Sequence, residues 1–138
     1  MMEDPTLQRK TTILVVDDED HIVRVVAFKL RAAGFEVIEA FDGEEAWTRL
    51  RDTEIDLVLT DQQMPVLDGI GLARRIAADD RFAGVPVVML TARGFRLDPE
   101  EFAGTGIVEM LDKPFSPRVL LERVRANLDR GSSRREAA

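Results

Sequence analysis

The sequence has no cysteine and no tyrosine, and it has only one histidine and one tryptophan. Without cysteine there can be no disulfide, no thiolate metal centre and no cysteine nucleophile. A fold without covalent staples suits a reducing compartment, and the chain is expected to be cytoplasmic. Long apolar runs are missing too. None approaches the roughly 20 residues that span a bilayer, and residues 1–10 hold no apolar stretch of signal-peptide length, so no membrane insertion is expected. Basic residues are in deficit, with 19 against 26 acids in 138 residues and a net charge of −7. That balance argues against a nucleic-acid-binding surface covering the molecule, and no direct nucleic-acid contact is expected.

What remains is ordinary globular composition, 45% hydrophobic and 33% charged, with length for one well-filled core. Residues 1–10 are polar and aperiodic and read as an N-terminal tail. Residues 131–138 read as a flexible C-terminal tail, which leaves a domain over 11–130. Within it, Ile13 to Val16, Leu57 to Leu59 and Val87 to Leu90 are short, continuous apolar runs, the mark of strands buried on both faces. Glu36 to Ala40 and Ile107 to Leu111 carry acids inside the run, as edge strands tolerate.

Between the strands the period changes to that of helices. Ile22, Val26, Leu30 and Ala33 form one apolar stripe, and Leu121, Val124 and Leu128 another. Asp42 with Glu45 has the form of a capping box, and Asp98-Pro99 and Ser116-Pro117 each offer an N-cap followed by proline at the first helical position. Gly34, Gly104 and Gly106 suit helix ends. The helix from about 97 to 104 is short, with only Phe102 and Ala103 apolar. The order is βα five times over, which predicts an α/β fold: a parallel sheet with helices on both faces.

Polar residues follow the buried runs at once: Asp17 and Asp18 after the first, Asp61 after the third, Thr91 after the fourth and Lys113 after the fifth. Ligands of open α/β sheets bind outside the carboxyl ends of the strands, so these five residues are expected to converge. Three neighbouring carboxylates repel one another unless a cation offsets them. An all-oxygen set that keeps waters suits Mg2+, not Zn2+. With Mg2+ bound, one carboxylate can attack a phosphoryl group, Lys113 can offset the charge of the transferring oxygens, and the Thr91 hydroxyl can hydrogen-bond one of them.

At this point the chain resembles the receiver domains of two-component response regulators, the single-domain chemotaxis regulators included. The resemblance is carried by Val15-Val16-Asp17-Asp18-Glu19, by Asp61-Gln62-Gln63-Met64-Pro65-Val66-Leu67-Asp68-Gly69, by Thr91-Ala92-Arg93 and by Lys113-Pro114-Phe115, and it covers residues 12–130. It implies a flavodoxin-like (βα)5 fold with strand order 2-1-3-4-5. It implies that Asp61 is the phosphoacceptor, that Asp17, Asp18, Asp61 and the backbone carbonyl of Gln63 hold Mg2+, and that Thr91 and Lys113 contact the phosphoryl group. A cis Lys113–Pro114 bond is also implied. The implied donor is a sensor histidine kinase or histidine phosphotransfer protein, and the implied output is a downstream effector protein or a phosphorylation-dependent dimer. Such a domain signals; it is not an enzyme, although it assists its own phosphorylation and dephosphorylation. No DNA-binding segment is expected after residue 130, so output is expected through protein contact or onward transfer to another histidine.

The chain departs from the family pattern at Met110, where the family usually places a tyrosine or phenylalanine that follows the threonine inward. Methionine fills irregular space, so this pocket is filled differently. Gln63 and Arg93 occupy positions that flank the phosphoryl group in the family and are expected to tune its rates. Two other readings stand beside the phosphoacceptor. One is a pseudo-receiver acting as a phosphorylation-independent interaction module, to which Met110 points. The other is a haloacid-dehalogenase-type phosphohydrolase, which needs a second carboxylate where Gln63 stands. Outside the motifs, His21 reads as a solvated first-turn residue and Trp47 as packing. Arg123, Arg125, Arg130, Arg134 and Arg135 read as cations on a solvated last helix.

Overall fold

The computed structural model describes residues 10–92 and 94–137, with side chains through Asp129. Five strands alternate with five helices: β1 (Thr12–Val16), α1 (Asp20–Ala32), β2 (Glu36–Ala40), α2 (Gly43–Asp52), β3 (Leu57–Asp61), α3 (Gly69–Ala78), β4 (Val87–Thr91), α4 (Pro99–Phe102), β5 (Ile107–Asp112) and α5 (Pro117–Ala137). All pairings are parallel and the order is β2-β1-β3-β4-β5, the flavodoxin-like topology expected.

Burial follows the composition of each run. β1, β3 and β4 are buried at every position, whereas β2 and β5, the acid-bearing runs, are partly open at the two edges. Alternate residues of the central strands feed two cores. Ile13, Val15, Leu57, Leu59, Val88 and Leu90 pack with Val23, Val26 and Leu30 of α1 and with Leu120 and Val124 of α5. On the opposite face Leu14, Val16, Val58, Val87 and Met89 meet Ala46 and Leu50 of α2 and Ile70, Leu72 and Ile76 of α3. Each fully buried large aliphatic side chain contributes about 1.5–3 kcal/mol, so these two layers carry the stability of the sheet.

Local signals place the helices, with some changes. Asp42 Oδ1 accepts from Glu45 N–H at 2.7 Å, but Glu45 reaches back to the N–H of Phe41 (2.6 Å), one residue beyond the capping-box partner. Ser116 Oγ accepts from Val119 N–H at 3.0 Å and starts α5. Ala33 lies past the α1 stripe, as the C-cap, and Val23 and Ala27 complete that stripe. The helix expected over 97–104 shrinks to the single turn of α4, because Ala103 is already extended and Gly104 has φ +76°. At the other end, α5 runs through Gly131 to Ala137, past the boundary expected at 130. Glycine inside a helix costs only about 1 kcal/mol relative to alanine, and no proline follows Pro117 to stop the helix.

β1 is laid down first. The chain then adds β2 on one side and returns to place β3 on the other, so the winding reverses between β1 and β3. Their carboxyl ends open into the crevice where such sheets bind ligands. Among the described residues, no helix is long and apolar enough to cross a membrane.

Candidate functional site

The crevice is built from strand ends. Asp17 follows β1: its N–H donates to Ala40 O at 3.3 Å, its Oδ1 accepts from Glu19 N–H at 3.0 Å, and only 1% of its surface is exposed. Asp18 points to solvent, while Asp61, the last residue of β3, is buried. One carboxylate oxygen from each of Asp17, Asp18 and Asp61 lies within 4.8 Å of the others. Lys113 follows β5, with its N–H donating to Thr91 O at 2.7 Å, and its Nζ sits 2.8 Å from Asp61 Oδ1 and 3.4 Å from Asp17 Oδ2. The Lys113–Pro114 bond is cis.

The electrostatics follow from this crowding. Burial raises the Asp17 carboxyl above its ordinary value and the Asp61 charge adds to the rise; the Glu19 N–H and Lys113 pull the other way without cancelling it. Burial lowers Lys113, but its hydrogen bond to Asp61 and the charges of Asp17 and Asp61 outweigh that effect and leave the ammonium above its ordinary value. One ammonium shared by two carboxylates, with a third beside them, leaves the crevice short of positive charge. The oxygen-only donor set, open to solvent at Asp18, fits a hard divalent cation that keeps part of its water shell.

The β3–α3 connection is fastened by a residue that the sequence reading did not single out. Gln62 is buried; its Nε2 donates to Asp68 Oδ2 (3.1 Å) and its Oε1 accepts from Ile70 N–H (2.9 Å). Its backbone N–H donates to Leu90 O, and its carbonyl accepts from Gly69 N–H, both at 3.0 Å. Asp68 caps α3 by accepting from Gly71 N–H at 2.8 Å. The cap was legible, since an aspartate before Ile70, Leu72, Ala73 and Ile76 at helical spacing is a start signal. Nothing in the residue type announces the glutamine. Gln63 is exposed and lines a cleft of about 470 Å3 with Asp18, Met64, Pro65 and Phe95. Val66 holds φ +72° at the tip of the loop.

Thr91 reaches the rim but faces another way. It is fully buried, and its Oγ1 donates toward β5: Asp112 Oδ1 lies at 3.2 Å and Leu111 O at 3.5 Å. Met110 is half-buried, opposite Met89 in the β4–β5 register, and fills the core on the α2–α3 side. Arg93 lies outside the described residues. His21 is largely exposed, its Nε2 3.8 Å from Glu19. Trp47 packs edge-on to Phe82 at 5.5 Å beneath the Arg75 guanidinium, as expected of a packing residue. Among the C-terminal cations the expectation of solvation fails at Arg123. That residue makes a bidentate pair with Glu109 (2.6 and 2.7 Å) because β5 carries an acid on the strip that α5 covers, and Asn127 joins them at 3.1 Å. Arg125 is exposed, and the side chains of Arg130, Arg134 and Arg135 lie outside the described residues.

Comparison with known proteins agrees with this geometry. The response regulator receiver domain family matches residues 13–125. The chain is 40% identical over 119 residues to the phosphate regulon transcriptional regulatory protein PhoB of Pseudomonas aeruginosa, covering 86% of this chain and 52% of that one. It spans about half the length of the curated relatives it matches. Among solved structures, a putative response regulator from Chloroflexus aurantiacus superposes with a TM-score of 0.77 at 35% identity, over 88% of this chain and 99% of that one. The chemotaxis response regulator CheY4 of Vibrio cholerae gives 0.79 at 29% identity, over 86% and 99%.

Proposed function

The chain belongs to the response regulator receiver domain family of two-component signalling, and on that premise we propose that Asp61 accepts a phosphoryl group from a phosphohistidine. The donor is a sensor histidine kinase or a histidine phosphotransfer protein. Asp17, Asp18, Asp61 and the backbone carbonyl of Gln63 hold Mg2+, which, when bound, neutralises the carboxylates and draws charge from the phosphoryl oxygens. An Asp61 oxygen attacks phosphorus, the P–N bond breaks, and its electron pair leaves with the imidazole, which takes up a proton. Lys113 exchanges its contact with Asp61 for a phosphoryl oxygen. The Thr91 hydroxyl turns to donate to another, and Met110 repacks behind it. Gln63 and Arg93 flank the group and tune its gain and loss. A partner protein, or a second phosphorylated copy, reads the altered surface. The site of action is the cytoplasm.

The observation that carries this reading is the convergence of Asp61 with an ammonium at 2.8 Å and two further carboxylates at the reversal of winding. Gln63, exposed where a hydrolase would need an acid, weighs against phosphomonoester turnover. Incubation with acetyl phosphate and Mg2+, followed by intact mass measurement, is expected to add one phosphoryl group to the wild type and none to Asp61→Asn. A wild type that stays unlabelled, with the same spectrum in beryllofluoride as without it, would overturn the proposal and leave an interaction module.

A further inference from the structure

We propose that Asp112 is a positioning residue that holds the Thr91 hydroxyl away from the phosphoryl site and so sets how readily the domain switches. The inference rests on the phosphoacceptor reading above and deepens it.

Strand register brings the two residues together. Val87 pairs with Ile107, but Val88 pairs with Glu109, because Val108 is an extra residue in β5. Without that bulge Thr91 would stand opposite Leu111; with it, Thr91 stands opposite Asp112. Directly paired residues of neighbouring strands point to the same face, so the bulge brings a carboxylate beside the threonine. The result is the 3.2 Å contact from Thr91 Oγ1 to Asp112 Oδ1.

The chemistry makes this contact matter. A hydroxyl has one proton to donate, and the proton given to Asp112 is the one a phosphoryl oxygen would receive. Thr91 is fully buried, so its hydroxyl cannot be left without a partner cheaply. A carboxylate is a stronger acceptor than the neutral carbonyl of Leu111, which lies at 3.5 Å. Asp112 is exposed and has no comparable need for the threonine, so its removal frees the hydroxyl without opening the core. Two adjacent residues at the end of β5 thereby occupy the two groups that phosphorylation recruits. Lys113 holds Asp61, Asp112 holds Thr91, and both contacts must exchange in the switch.

The test compares wild type, Asp112→Asn and Asp112→Ala, each with Thr91 or with Thr91→Val, by beryllofluoride affinity and acetyl phosphate labelling rate in Mg2+. With Thr91 present, Asp112→Ala is expected to bind beryllofluoride about three- to tenfold more tightly, the net range of an ordinary hydrogen bond after exchange with water, because the hydroxyl trades one charged acceptor for another. Asp112→Asn, which keeps an acceptor oxygen but not the charge, falls between. In the Thr91→Val background the effect is expected to vanish. Equal gains in both backgrounds would overturn the proposal, because they would report the loss of a negative charge and not the release of a hydroxyl. No gain, or weaker binding, in Asp112→Ala with an unchanged melting midpoint would overturn it too. A wild type that neither binds beryllofluoride nor takes label would instead sink the phosphoacceptor reading itself.

Discussion

After β3 and after β4 the chain leaves the same edge of the sheet, each time from a residue at the crevice, and the two departures are built in opposite ways. From Asp61 the backbone is caught at once. Gln62 bonds Asp68 and Ile70, Gly69 lies under the carbonyl of Gln62, and α3 buries Ile70, Leu72, Ala73 and Ile76. From Thr91 the chain passes through Phe95 and Leu97, which touch the core, into a four-residue α4 with no buried residue. Among the described residues, the hydrogen bonds that tie this departure to β5 are those of Thr91 itself, the hydroxyl contact to Asp112 and the Lys113 N–H to Thr91 O, and beyond them Phe95 N–H only turns back to Ala92 O. The carboxylate proposed to react therefore sits on a preorganised mount, while the hydroxyl proposed to move sits beside a weakly held segment. Segments with few buried apolar contacts open at low free energy, which is where a switching element has to lie.

The largest expected break in this contrast comes from Gly69→Ala. A Cβ there would stand 2.6 Å from Asp61 O and 3.0 Å from Gln62 Cα, both backbone, so α3 must shift bodily away from β3. Urea unfolding should show a loss of roughly 2–3 kcal/mol. Gly104→Ala, at φ +76° but with open space around it, should lose only about 1 kcal/mol. Equal losses would erase the distinction between the two connections.

Metal binding should sharpen it. Mg2+ at a hundredfold excess over its dissociation constant is expected to stabilise the fold by about 2.7 kcal/mol. Hydrogen exchange should slow in β1, β3 and α3 while α4 stays fast. The increment depends on pH through Asp17. Its carboxyl stands above 3.8 in the fold, so the folded chain takes up that proton more readily than the unfolded one. Asp17 thus weakens the metal-free fold as pH rises through its raised value, and that penalty is absent below 3.8. Mg2+ needs the ionised form, so its stabilisation should be full at neutral pH and fade as pH falls through the same interval. Asp17→Asn should raise the metal-free melting midpoint at pH 7 and remove the Mg2+ increment.

The smallest effect concerns strain inside the tight connection. Val66 is almost wholly exposed and β-branched, yet holds φ +72°, a region that asparagine enters far more readily. Val66→Asn is expected to gain about 0.5–1 kcal/mol in urea unfolding with labelling at Asp61 retained. A loss would mean that the valine side chain contributes contacts that its exposure denies.

Much of this architecture is legible from local pattern. The buried runs of β1, β3 and β4, the acids that mark β2 and β5 as edges, and the placing of Asp17, Asp18, Asp61, Thr91 and Lys113 at strand ends all follow from residue order. What was not legible depends on tertiary register. A single extra residue at Val108 decides that Asp112 faces Thr91, and periodicity over six residues cannot reveal a bulge that only the partner strand defines. Nothing in the sequence singles out Gln62, because its role needs the return of α3 over the end of β3. Arg123 looked solvated because Glu109 belongs to another element 14 residues away. α4 is shorter than its sequence suggests because a proline start signal says where a helix begins and nothing about whether a core will hold it.

The contact between Lys113 Nζ and Asp17 Oδ2 joins residues 96 positions apart in the chain. The crevice is thus a junction of early and late sequence, and a chain still lacking β5 has the acids without the ammonium that partly offsets them. Competence to take a phosphoryl group should therefore arrive only with completion of the sheet. In a refolding or translation experiment, chemical labelling at Asp61 would serve as a clock for the last strand to dock.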